Sequence, residues 1–148
     1  MQGIPEDAIA TFPSDKMADA GLVTLDSPHD FLTTEKRVLA AINAQPDTVY
    51  FGQVDFTARA SAHGVILEPL RLIVFGGPGP GGKAMHSAPS LGLDAFCQQL
   101  LIWQDAGGSV HVTFNDLLAL AERQNVSGGV PLRVINRRLK KTFSTALE

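Results

Sequence analysis

Four histidines (His29, His63, His86 and His111), one cysteine and a glycine-proline run are the residues whose types bear most directly on chemistry. No histidine is paired at i, i+4 with another ligand-type side chain, so the chain lacks zinc-type spacing and no metal site is expected. His63 precedes Gly64 and reads as a helix-end partner of free carbonyls. His111 reads as a solvent-facing strand residue. Cys97 lies in Asp94-Ala95-Phe96-Cys97-Gln98 with no base beside it. A lone cysteine of this kind is usually a small core residue. Ser87 and Ser90 stand outside any nucleophile-elbow pattern. Acid-base or redox chemistry would require the fold to gather Asp55, His86, Asp94 and Cys97 into one cleft.

The segment Gly77-x4-Gly82-Lys83 matches most of a phosphate-binding loop and follows an apolar strand. Its chemistry argues otherwise. Position 84 is alanine, so no hydroxyl is present to hold magnesium. Pro78 and Pro80 remove two amide donors, and Pro89 interrupts what should be a long helix. The expected structure is a stiff, wide loop over residues 76–82 leading into a short helical stretch between Met85 and Leu91.

The elements that would position these residues follow from periodicity. Strands are expected at 21–25, 48–56, 71–75, 100–104 and 110–114, the last two joined as a hairpin through Asp105-Ala106-Gly107-Gly108. In the last strand Val110, Val112 and Phe114 share one face, with His111 and Thr113 on the other. Helices are expected at 31–43 behind Ser27 or Asp30, at 57–63 closing on Gly64, after Asn115 or Asp116, and from about 131 to 146. The last should turn Val134, Ile135, Leu139 and Phe143 inward. Trp103 and Tyr50 read as core, interface or cavity-lining aromatics. Strands clustered mid-chain favour an α+β fold, a mostly antiparallel sheet with helices on one face.

Length and charge bound the rest. At 148 residues with 45% hydrophobic and 18% charged residues, the composition is that of one globular domain. Residues 1–20 read as an irregular arm, the first sixteen as an extension before a second start-like Met17, and residues 21–148 as the domain. A single cysteine excludes an internal disulfide framework. No apolar run reaches the ~18 residues of a membrane span, and no secretory leader pattern is visible; the expected location is cytoplasmic. The formal charge is −3, but residues 130–148 hold five basic groups and one acid while the remainder holds seven basic and fourteen acidic groups. An acidic body with a basic tail is expected to dock one on the other or on a neighbouring subunit. Nucleic-acid binding through that basic helix is a further alternative, on a thin footprint with Phe143 its one aromatic.

The stretch Phe75-Gly76-Gly77-Pro78, then Gly81, Met85 and Pro89, resembles a bacterial and archaeal family known as domain of unknown function 302. So do Val54-Asp55, Leu67 with Pro69, Leu93-Asp94, the strand with Trp103 and Asp105, Gly108 and Phe114-Asn115-Asp116. The resemblance covers roughly residues 20–126. It implies a small fold like that of the TATA-binding protein, with a curved antiparallel sheet backed by helices, and homodimers. Three positions depart from the family pattern: Phe56 replaces a histidine after the aspartate, Gly77 replaces an asparagine, and Ala95 follows Asp94 in place of the continued pattern toward a proline. Loss of the histidine removes half of an aspartate-histidine pair, so a non-catalytic role is expected. The expected function is binding of a small molecule or assembly as a homodimer, without membrane or nucleic acid and with no cofactor specified. The candidate cleft is built from Asp55, Phe75, Gly76, Gly77, Pro78, Gly81, Gly82, Met85, Asp94 and Trp103, with no catalytic residue among them.

Overall fold

The computed structural model describes residues 16–127 and 130–148. Five strands form one antiparallel sheet in the order β1-β5-β4-β3-β2: β1 Leu22–Ser27, β2 Val49–Asp55, β3 Leu70–Gly76, β4 Gln98–Gln104 and β5 Val110–Asn115. Among the described residues five α-helices accompany it: α1 Phe31–Asn43, α2 Phe56–Ser61, α3 Pro78–Ser87, α4 Leu117–Arg123 and α5 Val130–Ala146. The expected α+β class and antiparallel sheet are what the chain adopts. A parallel sheet wound alternately with helices, which a phosphate-loop nucleotide fold needs, is therefore not this architecture.

Strand alternation sends Ile73, Phe75, Leu100, Ile102, Val110, Val112 and Phe114 to the face that packs under α1 and α5, where all are buried. From α1 the buried stripe is Phe31, Thr34, Val38 and Ile42, at helical spacing. From α5 it is Leu132, Asn136, Leu139 and Phe143. Phe143 meets Phe75 edge-on at 5.6 Å between ring centroids and Phe114 at the same distance. Removing a side chain of this size from water contributes about 1.5–3 kcal/mol each, which is why the helices commit to this face. Val134 was expected inward but is half exposed. Ile135, Leu139 and Phe143 do face the core as expected, and Asn136 joins them in place of Val134, its Oδ1 accepting the Leu117 backbone N–H at 2.9 Å.

The glycine-proline segment corrects the expected stiff loop. A helix, α3, starts at Pro78, directly after Gly77. Proline at the first helical position gives up an N–H that has no intrahelical partner there. Pro80 falls in the same first turn, and the helix is unbroken until Ser87. Glycine at 81 is required by close packing, since a Cβ would stand 2.9 Å from the Phe96 ring. A 3-10 turn at Pro89–Gly92 follows, so Pro89 ends the helical path as expected.

The basic tail docks on the acidic body. Arg138 pairs with Asp47, Lys140 with Asp116 at 3.3 Å, and Arg37 donates to the carbonyls of Ala146 and Glu148. Residues 1–15 of the expected N-terminal arm lie outside the described residues.

Candidate ligand-binding site

Among the described residues, α1 and α5 pack on the first face of the sheet, and the second face carries no comparable helical layer. It presents Leu22 and Thr24 from β1, Leu70 and Leu72 from β3, Gln99, Leu101 and Trp103 from β4, and His111 and Thr113 from β5. Register places Leu72 beside Leu101, Leu101 beside Thr113, and Trp103 beside His111. β3 and β4 are apolar on both faces for this reason. Leu70 and Leu72 serve the open face while Ile73 and Phe75 serve the core.

Helix α2 and the segment after it overhang this face. Asp55 caps α2, its Oδ1 accepting the Ala58 N–H at 3.0 Å, and also meets Arg71 at 3.6 Å. Arg71 is held in turn by Glu35 and lies 5.4 Å from the Phe31 ring. Thr57 ties the overhang down, its hydroxyl donating to the Glu68 carbonyl and accepting the Leu70 N–H, both at 2.9 Å. Between overhang and sheet lies a trough of about 710 Å³ whose apolar wall includes Leu22, Phe56, Leu67, Leu70, Leu72 and Leu101. A shallower compartment of about 310 Å³ adjoins it over Met17 and Trp103. Known small-molecule sites occupy ~300–1,000 Å³ and are mostly apolar with a few polar groups.

A polar stripe borders the trough. The Trp103 Nε1–H donates to Thr113 Oγ1 at 2.9 Å, and Thr113 Oγ1 lies 2.9 Å from Thr24 Oγ1. The Trp103 ring lies over His111 at 4.4 Å. His111 is not the solvated residue expected of it: its Nδ1 is 2.7 Å from Asp26 and its Nε2 2.8 Å from Asp105. Burial pushes its pKa down, but the two carboxylates outweigh that and raise it on balance. The same contact lowers Asp105, aided by the Ser109 and Gly107 amides. Carboxylates at both ring nitrogens favour the protonated ring over the neutral one.

The structure divides the sequence-derived candidates. Phe75, Gly77 and Gly81 do meet, around a cleft of only about 40 Å³ with Asp47 and Arg138 beside it. That volume suits an ordered water or two. The Gly81 amide donates to the Gly77 carbonyl at 2.8 Å. Gly76 is buried beside Phe51. Pro78 and Gly82 belong to α3, and Met85 packs against the core from the same helix. Asp55 and Asp94 do not share a cleft. Asp55 sits beside Arg71, opposite the Ile102 end of β4, whereas Asp94 precedes Gln98 at the other end, roughly four strand residues or ~13 Å along the sheet. Asp94 is engaged by Arg123 and by Gln124 at 2.6 Å. Cys97 is exposed, and so is His86 on α3. The alternative cleft of Asp55, His86, Asp94 and Cys97 is thus not assembled. Among the described residues no group of three His, Cys, Asp or Glu side chains is placed to hold a metal ion.

Of the ten candidates only Trp103 reaches the open face. Sequence reasoning missed the leucines and Arg59. The available signal was the continuous apolar character of 70–75 and 100–103, which in a sheet backed on one side marks a second apolar face. Phe56, where the resemblance expects a histidine, lines the trough and makes it more apolar.

A sequence model of the family described as domain of unknown function DUF302 matches residues 23–146. Two fluoride-specific ion channels, FluC 1 of Brucella suis and FluC 1 of Brucella abortus, are each 37% identical over 114 residues, 77% of this chain. That match takes up 44% and 42% of their own lengths, so the chain spans less than half of these relatives. The crystal structure of an uncharacterized conserved protein DUF302 from Bacillus stearothermophilus superimposes with a TM-score of 0.70 at 15% identity, over 86% of this chain and 95% of that one.

Proposed function

This chain belongs to the DUF302 family, and from that premise we propose that it is a non-catalytic binding domain whose ligand is a small, largely apolar molecule held in the trough under α2. One observation carries this reading: a trough of about 710 Å³ with a leucine-rich wall between α2 and the face of the sheet opposite α1 and α5. The scatter of Asp55, His86, Asp94 and Cys97 supports the absence of a catalytic centre. The relatives' channel activity belongs to proteins more than twice the matched length. Among the described residues of this chain no helix is long and apolar enough to cross a membrane.

The test uses a neutral apolar probe, N-phenyl-1-naphthylamine, whose emission rises in apolar surroundings. Saturable enhancement by the purified protein is expected, weakened tenfold or more by Leu101→Gln, with circular dichroism unchanged because Leu101 is only half-buried. Enhancement that is absent, or indifferent to Leu101→Gln, overturns the reading.

A second reading has its own observation. Ile66 is 94% exposed and Val65 52% exposed in the segment that overhangs the trough. Apolar side chains so placed favour self-association of two copies through this rim.

A further inference from the structure

We infer that the trough selects amphiphiles with a single anionic head group, bound as individual molecules with the head at Arg59 and the tail along Leu70, Leu72 and Leu101. The inference rests on the trough being a ligand site and adds the charge of what it takes. Of the twelve residues lining the 710 Å³ compartment, Arg59 alone is charged and none is acidic. Among the described residues no carboxylate lies within ion-pair distance of Arg59, although the protein as a whole carries an excess of acids. The acid one helical turn before it, Asp55, is already occupied by Arg71 and by capping α2. Glu68 borders only the shallower neighbouring compartment.

The remaining polar lining is consistent with such a head group. Gln99 and Asn115 contribute side-chain amides, groups that donate to an oxyanion without adding charge. An arginine at an apolar mouth forms charge-assisted, paired hydrogen bonds to a carboxylate or sulfonate. A cationic head in the same place would meet like charge with no acid to offset it. Helix α2 sets Arg59 there because Asp55 starts the helix and Arg59 falls one turn later on it.

The experiment compares decanoate, 1-decanol and decyltrimethylammonium, each below its aggregation limit. Quenching or enhancement of Trp103, the only tryptophan, reports occupancy of the adjoining compartment. Decanoate is expected to bind at least tenfold tighter than decyltrimethylammonium and to weaken with added salt. Arg59→Gln should remove that preference, and Arg59→Lys should keep most of it. Arg59 is exposed on α2, so both variants should fold as the parent does. If decanol and decanoate bind alike and Arg59→Gln changes neither, the charge inference is overturned while the trough remains a ligand site. If none of the three binds, both readings fall. Sedimentation with anionic-lipid vesicles without binding of monomeric decanoate would overturn the inference in favour of a membrane surface.

Discussion

At the scale of single residues, His111 is the most informative group outside the trough. Its ring bridges two strands and the hairpin, touching Asp26 of β1 and Asp105 beyond β4 while Trp103 covers one side. A histidine whose folded pKa is raised contributes stability that is complete below the ordinary 6.5 and is lost as pH rises through the higher folded value. Asp105, lowered by the same contact, contributes above its ordinary 3.8 and loses that contribution as pH falls through its lower folded value. The urea midpoint of His111→Gln should therefore fall furthest below that of the parent between roughly pH 4 and 6.5, and the two should converge in the alkaline range. A difference independent of pH would show that the ring acts by packing alone. Nothing in the alternation Val110-His111-Val112 reveals this role, because both carboxylates arrive from other segments. The pairing depends on β1 lying next to β5, with Asp26 directly opposite His111.

At the scale of elements, α4 and α5 are joined through one carboxylate. Asp116 Oδ1 accepts the Leu118 and Ala119 amides at 2.9 and 3.3 Å and the Asn136 side-chain amide at 3.1 Å, while Oδ2 faces Lys140. Burial pushes the Asp116 pKa up, but Lys140 and the capping amides outweigh it, so the net shift is downward. Asp116→Ala should cost about 1–2 kcal/mol, the range of a lost helix cap, measured by urea unfolding at neutral pH. The deficit should shrink as pH falls below 3.8 toward the lower folded value, where the parent also loses the charge. A loss under ~0.3 kcal/mol would mean that the cap is replaced by water or by Asn115. The cap itself was legible, since aspartate before an apolar periodic run is a helix-start signal. The tie to α5 was not, because Asn136 lies twenty residues away and only tertiary packing brings it in. For α3 the local signal points the other way: its prolines and glycines read as loop-forming, although Pro78 and Pro80 both fall where a helix has N–H groups to spare.

At the scale of the whole molecule, one sheet face is packed under α1 and α5, while among the described residues the other is overhung by α2 with a trough between. The expected homodimer would use this asymmetry, with Ile66 and Val65 of one copy laid against another and the trough mouth narrowed between them. Light scattering after size exclusion should then give about 32 kDa, twice the 15.8 kDa of the chain. Ile66→Glu should shift it to the monomer without loss of secondary structure, the side chain being almost fully exposed. A parent that elutes as a monomer at all concentrations would remove the dimer and leave the trough open to solvent. The surface ion pairs that hold the basic tail to the body, such as Arg138 with Asp47, contribute little by comparison, since exposed pairs are worth ~0–1 kcal/mol.

The sequence alone determined the class of fold, the antiparallel hairpin, the long first helix with its cap at Ser27 or Asp30, the family and the charge contrast between an acidic body and a basic tail. These follow from local periodicity, turn chemistry and charge count, all of which are written in neighbouring residues. Only the tertiary structure decided where a ligand could sit. A cavity is a relation among segments distant in the chain, here α2, β3, β4 and β1, and no local pattern states which apolar side chains remain uncovered once the helices have chosen their side of the sheet.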